Sequence, residues 1–131
     1  MPTPILTLTP GQIAKLNALP QSYSFTGETI DAATLTVPLG TFAVGETEWL
    51  RLTVDGHDGS DAAGWNQNQL WLNDAGTMIS INNPAIGAPR ATAALSTATL
   101  VIQDDGAGEL EAVITGVLGQ TVEWHLYWHF E

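Results

Sequence analysis

Gln120-Thr-Val-Glu-Trp-His-Leu-Tyr-Trp-His-Phe-Glu131 separates apolar from polar residues more cleanly than any other stretch of the chain. In an extended strand, alternate side chains point to opposite faces. One face then carries Val122, Trp124, Leu126, Trp128 and Phe130, and the other carries Glu123, His125, Tyr127, His129 and Glu131. Two Trp and a Phe on one strand face are a large apolar payload, and that face is read as core. The opposite face is left to solvent or to a neighbouring subunit.

Working outward, the same period of two recurs in short runs. Ser22 to Thr26 places Tyr23 and Phe25 together. Ala33 to Leu39 ends at Pro38 and Gly40. Thr47 to Asp55 alternates Glu48, Leu50, Leu52 and Val54 with Trp49, Arg51 and Thr53. Gln69 to Asn73 and Met78 to Asn82 flank Asp74-Ala75-Gly76-Thr77, a hairpin pattern. Ala98 to Gln103 and Glu109 to Thr115 flank a Gly-rich turn in the same way. About eight short strands joined by turns predict a mainly β, antiparallel β-sandwich, jelly-roll-like or immunoglobulin-like. One short N-terminal helix is expected. Thr9 would cap it, Pro10 would take its first position, Ile13, Leu16 and Leu19 would form its apolar side, and Pro20 would stop it.

Two connections look long: Gly56 to Asn68, and Asn83 to Thr97. No composition break divides the chain, so residues 1–131 are read as one domain with an extended arm over residues 1–9. At 131 residues and 44% hydrophobic, the chain suits a single core.

Charge excludes more than it suggests. Three basic residues face 14 acidic ones, for a net charge of −11. Nucleic-acid binding needs cations to displace phosphate counterions, so neither DNA nor RNA is expected as a partner. The same shortage argues against an anionic membrane surface. There is no Cys, hence no disulfide framework and no thiolate chemistry. The first residues lack a basic segment followed by an apolar run, so no signal peptide is expected. No run approaches the ~18 apolar residues of a membrane helix.

Three groups of residues invite a chemical reading. Asp55, Asp58 and Asp61, with Gly56 and Gly59 between them, form an oxygen-rich loop candidate for Ca²⁺. Trp65, Asn66, Gln67 and Asn68 combine an aromatic plate with amides, the chemistry of a carbohydrate-binding surface. His125, Tyr127 and His129 lie on the polar face of the last strand. Residues i and i+4 on a strand are about 13 Å apart. His125 and His129 therefore cannot share one metal ion without a bend, a metal site here would need ligands from a neighbouring strand, and these residues are read as an oligomer interface. Nucleophile-elbow, zincin and phosphate-loop motifs are absent, and a non-enzymatic role is expected.

The Pro-flanked arm Pro2 to Thr9, the Ala/Pro-rich loop Asn83 to Thr97 and the aromatic closing strand give the chain a recognisable style. In these features it resembles the small β-sandwich virion accessory proteins of tailed bacteriophages, of the head-decoration, spike or tail type. The resemblance implies a virion protein that forms a homo-oligomer, with a trimer favoured, and contacts capsid or tail proteins. The alternative is a carbohydrate-binding or adhesin-like module, assisted by Ca²⁺.

Overall fold

The computed structural model describes residues 22–82 and 85–131. The expected N-terminal arm and the helix before Pro20 lie outside these residues. The described chain is built from strands: β1 (Ser22–Ile30), β2 (Thr34–Gly40), β3 (Thr47–Asp58), β4 (Asp61–Asp74), β5 (Thr77–Ser80), β6 (Arg90–Ala91), β7 (Thr99–Asp104), β8 (Leu110–Thr115) and β9 (Thr121–Phe130). A short 3-10 helix, Ala93–Leu95, precedes β7. No helix among the described residues is long and apolar enough to cross a membrane.

The strands form two antiparallel sheets, as the alternating pattern predicts. The large sheet runs β1-β9-β3-β4-β5, with β6 also paired to β4; the small sheet runs β2-β8-β7. The closing strand lies inside the large sheet, between β1 and β3. Its apolar face is buried as the alternation requires, with Val122, Trp124 and Leu126 fully enclosed. Opposite them, Val37, Leu39, Leu100, Ile102, Leu110, Ala112 and Ile114 supply the inner face of the small sheet. Burying such side chains contributes roughly 1.5–3 kcal/mol each relative to exposure, so this inter-sheet layer holds the fold together.

The expected loop from Gly56 to Asn68 is a long hairpin instead. β3 and β4 pair from Thr47↔Leu72 out to Asp58↔Asp61, leaving only Gly59 and Ser60 at the tip. Gly59 has φ 59°, the left-handed value that a two-residue hairpin turn with Gly at its first position requires. Gly56 is no turn residue either. It is paired with Trp124 across β3 and β9, and a Cβ there would collide with the Trp124 six-membered ring. The glycine exists to let the indole lie flat over β3. The second long connection is also structured in part, since Arg90–Ala91 adds to β4 and the 3-10 helix buries Leu95.

The inward Trp side chains are hydrogen-bonded as well as packed. Trp124 donates from Nε1 to the buried Thr29 hydroxyl at 2.9 Å. Trp128 donates to the Leu39 carbonyl at 2.8 Å, Trp65 to the Gly87 carbonyl at 3.1 Å, and Trp71 to Gln69 Oε1 at 3.0 Å. Leaving such an N–H unpaired in the core would cost about 1–3 kcal/mol. These bonds fix which way each ring faces.

Candidate functional site

The outer face of the large sheet gathers all three histidines of the chain. Register assembles that face in rows across the strands. Glu28 of β1, Glu123 of β9, His57 of β3 and Ala62 of β4 form one row. The next row is Thr26, His125, Asp55, Gly64 and Arg90, the last from β6. Ser24, Tyr127, Thr53 and Asn66 follow, then Ser22, His129, Arg51 and Asn68. Directly opposed side chains on one sheet face have Cβ atoms about 4.5–5.5 Å apart, so each row is a contact set.

Every histidine of the chain stands on this face and meets a carboxylate. His125 Nε2 lies 3.1 Å from Glu123 Oε1, and His57 Nε2 lies 3.9 Å from Glu123 Oε2. His129 Nε2 lies 3.1 Å from Glu131 Oε1. The rings of His57 and His125 stack, 5.8 Å between centroids and 10° from parallel. The hydroxyl of Thr26 sits 3.2 Å from His125 Nδ1. His57, Glu123 and His125 thus bring three donor atoms within 4.8 Å of one another. The neighbour-strand residue beside His125 is His57, which lies on β3 and not in the loop expected from Gly56 to Asn68.

At the other end of the face, Arg51 Nε forms an ion pair with Glu131 Oε2 at 2.8 Å, and Arg51 donates from Nη1 to Asn68 Oδ1 at 2.9 Å. The hydrogen bond from Arg51, and then that from His129, hold the Glu131 carboxyl below its ordinary pKa. This cluster is an ion-pair network tying the end of β9 to β3 and β4. Between the two clusters Tyr127 is 52% exposed. His125, Tyr127 and His129 therefore do share one accessible face, with the histidines engaged by glutamates and the tyrosine ring open.

The Ca²⁺ candidates do not converge. Asp58 and Asp61 are register partners and share a face, while Asp55, three residues from Asp58, points to the other. Three residues of strand also put Asp55 about 10 Å away. Asp58 is occupied by the Thr121 backbone N–H at 3.2 Å, and Asp61 accepts from the Thr92 hydroxyl at 3.0 Å. These two carboxylates tie down the hairpin tip rather than enclose an ion.

The proposed sugar platform is likewise taken apart by the strand period. Trp65 is only 6% exposed and stacks on Trp124, with ring centroids 5.8 Å apart. Trp65 and Gln67 share the inner side of β4, while Asn66 and Asn68 point outward with exposed side chains. Trp65, Asn66 and Gln67 nevertheless border one depression of about 240 Å³ together with Gly87, Ala88 and Arg90, while Asn68 does not. Asn66 also borders a shallow depression of about 460 Å³ over Gly64, flanked by Thr53, Asp55, Ala62 and Arg90. It exists because Gly64 contributes no side chain to its row.

Comparison of the chain with protein-family models, with curated proteins and with solved structures finds no match.

Proposed function

We propose that this chain is a non-enzymatic assembly protein of the virion accessory kind, acting through protein–protein contacts with copies of itself and with capsid or tail proteins. One observation carries the reading. The large sheet ends at β1, nine residues long, which pairs with β9 along its whole length and has no further strand on its other side among the described residues. Long edge strands are ordinarily guarded by Lys, Pro or a bulge. β1 has none of these: its register with β9 is unbroken, and Glu28 is its only charged side chain. Such an edge is suited to accept a strand from a second chain, with the main-chain ladder providing affinity. Pairing there would extend the outer face that carries Tyr127, since β1 lies directly beside β9. The acidic surface suits docking on a basic patch of a larger assembly.

The test is the solution mass of the full chain by light scattering over a wide concentration range, for the wild type and for a Ser22→Lys/Ser24→Lys double variant. Both serines are exposed residues of β1, so the fold should survive, which far-UV circular dichroism checks. An oligomer that the lysines reduce to monomer supports the reading. A wild-type monomer at every concentration, or an oligomer indifferent to the lysines, removes the edge as its basis. Capsid, portal or tail genes flanking the coding sequence would support the virion assignment, and a neighbourhood of unrelated metabolic genes would count against it.

A further inference from the structure

We infer that His57, Glu123 and His125 form a surface binding site for a divalent transition-metal ion of the Zn²⁺ class. The donor set is two imidazole nitrogens and one carboxylate, which suits zinc-type ions rather than Ca²⁺ or Mg²⁺. It is assembled by sheet register, not by a flexible loop. His57 and Glu123 are cross-strand partners, and His125 follows Glu123 on the same face of β9.

The distances are close to those a metal needs. Zinc binds nitrogen and oxygen at about 2.0–2.2 Å, so tetrahedral donors stand roughly 3.3 Å apart. The His125 Nε2–Glu123 Oε1 separation is 3.1 Å, and His57 Nε2 stands 3.9 Å from the other carboxylate oxygen. Bringing both Nε2 atoms onto one ion requires the two nearly parallel imidazole rings to turn toward each other, and the half-exposed His57 and Glu123 side chains have room to do so. Three protein donors on an open face leave a fourth position for water or for a donor from a partner.

Two further features set this cluster apart from an ordinary surface ion pair. Thr26 stands against His125 Nδ1 at 3.2 Å. With Nδ1–H donating to that hydroxyl, the lone pair is on Nε2, the atom facing the other two donors. Fixing the tautomer through the non-ligating nitrogen is the usual office of a supporting residue in metal sites. Second, Glu28 and Glu123 are direct cross-strand partners on this face. Two like charges so placed repel, and a cation beside Glu123 offsets that cost. The overall charge of −11 adds a field that concentrates cations at the surface.

The experiment is calorimetric titration of the full metal-free chain with ZnCl₂, and separately with CaCl₂, at neutral pH. The wild type should bind one Zn²⁺ per chain. His57→Ala and His125→Ala should each weaken binding at least tenfold, and Thr26→Val by about tenfold, as expected for a supporting residue. His129→Ala should leave binding unchanged, because its partner is Glu131. Co²⁺ in place of Zn²⁺ gives a second readout, since visible absorption of the bound ion reports nitrogen ligation and should vanish in His57→Ala. Absence of saturable Zn²⁺ binding would overturn the site. So would binding insensitive to His57→Ala and His125→Ala, equal loss in His129→Ala, or Ca²⁺ binding as tight as Zn²⁺. The outcome is independent of oligomeric state, provided the titration is repeated on the Ser22→Lys/Ser24→Lys variant.

Discussion

At the scale of the residue, the tightest of the described glycines is Gly56, under Trp124. The indole is fully buried, hydrogen-bonded to Thr29 and stacked on Trp65. A methyl group at position 56 would enter the volume of its ring. Gly56→Ala should therefore destabilise by about 1–3 kcal/mol through overpacking. Trp124→Ala, which empties the site, should cost about 3–5 kcal/mol. Two residues that compete for one space cannot be additive. In a Trp124→Leu background, the penalty for Gly56→Ala should fall to near zero, since the smaller side chain leaves room for the methyl. Urea denaturation of the four proteins measures this coupling. A full penalty in both backgrounds would mean that Gly56 is needed for its backbone conformation and not for the ring. Against a typical total stability of ~5–15 kcal/mol, this contact is a large share.

At the scale of the element, alternation in the sequence made the strands legible wherever one face was apolar. β9, β7, β8 and the first part of β3 follow from period two alone, and the Asp74–Thr77 turn follows from its chemistry. The outer half of the β3–β4 hairpin did not follow. There Gly56, Gly59 and Gly64 interrupt the pattern, and glycine in a run of Asp and Ser has the composition of a loop. One glycine makes room for a ring, one turns the tip, and one leaves a depression. None of these roles is visible without the strand that lies opposite. The His57–Glu123–His125 cluster is concealed in the same way: alternation marks His125 as an outward residue, but its neighbour His57 depends on β3 lying beside β9. The β4–β5 turn offers a test of what was legible. Ala75 has φ 53° and Gly76 φ 94°, the paired left-handed values for which Asn-Gly is the favoured sequence. An alanine in that region is strained by roughly 1–2 kcal/mol. Ala75→Asn should raise stability by about 0.5–1 kcal/mol, read as a higher denaturation midpoint at unchanged m-value. A loss of stability would mean that the Ala75 methyl makes a contact worth more than the strain.

At the scale of the whole molecule, the dominant quantity is charge. A net charge of −11 is distributed over 131 residues, for which the expected radius of gyration is ~14 Å. Screening length decides how those charges act. At 0.01 M salt the Debye length is about 30 Å, roughly twice that radius, so even acidic groups far apart on the surface repel one another. At 0.15 M it is about 8 Å, and only near neighbours interact. Salt also weakens favourable ion pairs, but exposed pairs contribute only about 0–1 kcal/mol each. With three Lys and Arg residues in the chain, few can exist. Long-range repulsion therefore outweighs local attraction, and the folded state, where the charges are closest, suffers most. The thermal midpoint should rise as NaCl increases from 0.01 to 0.15 M, measured in EDTA so that bound cations do not contribute. The rise should be greatest in the first part of that range, where the Debye length shortens fastest. A midpoint that falls with salt would show that the Arg51–Glu131–His129 network and its like govern stability. The outer face of the large sheet would then be a structural clamp before it is a surface for partners.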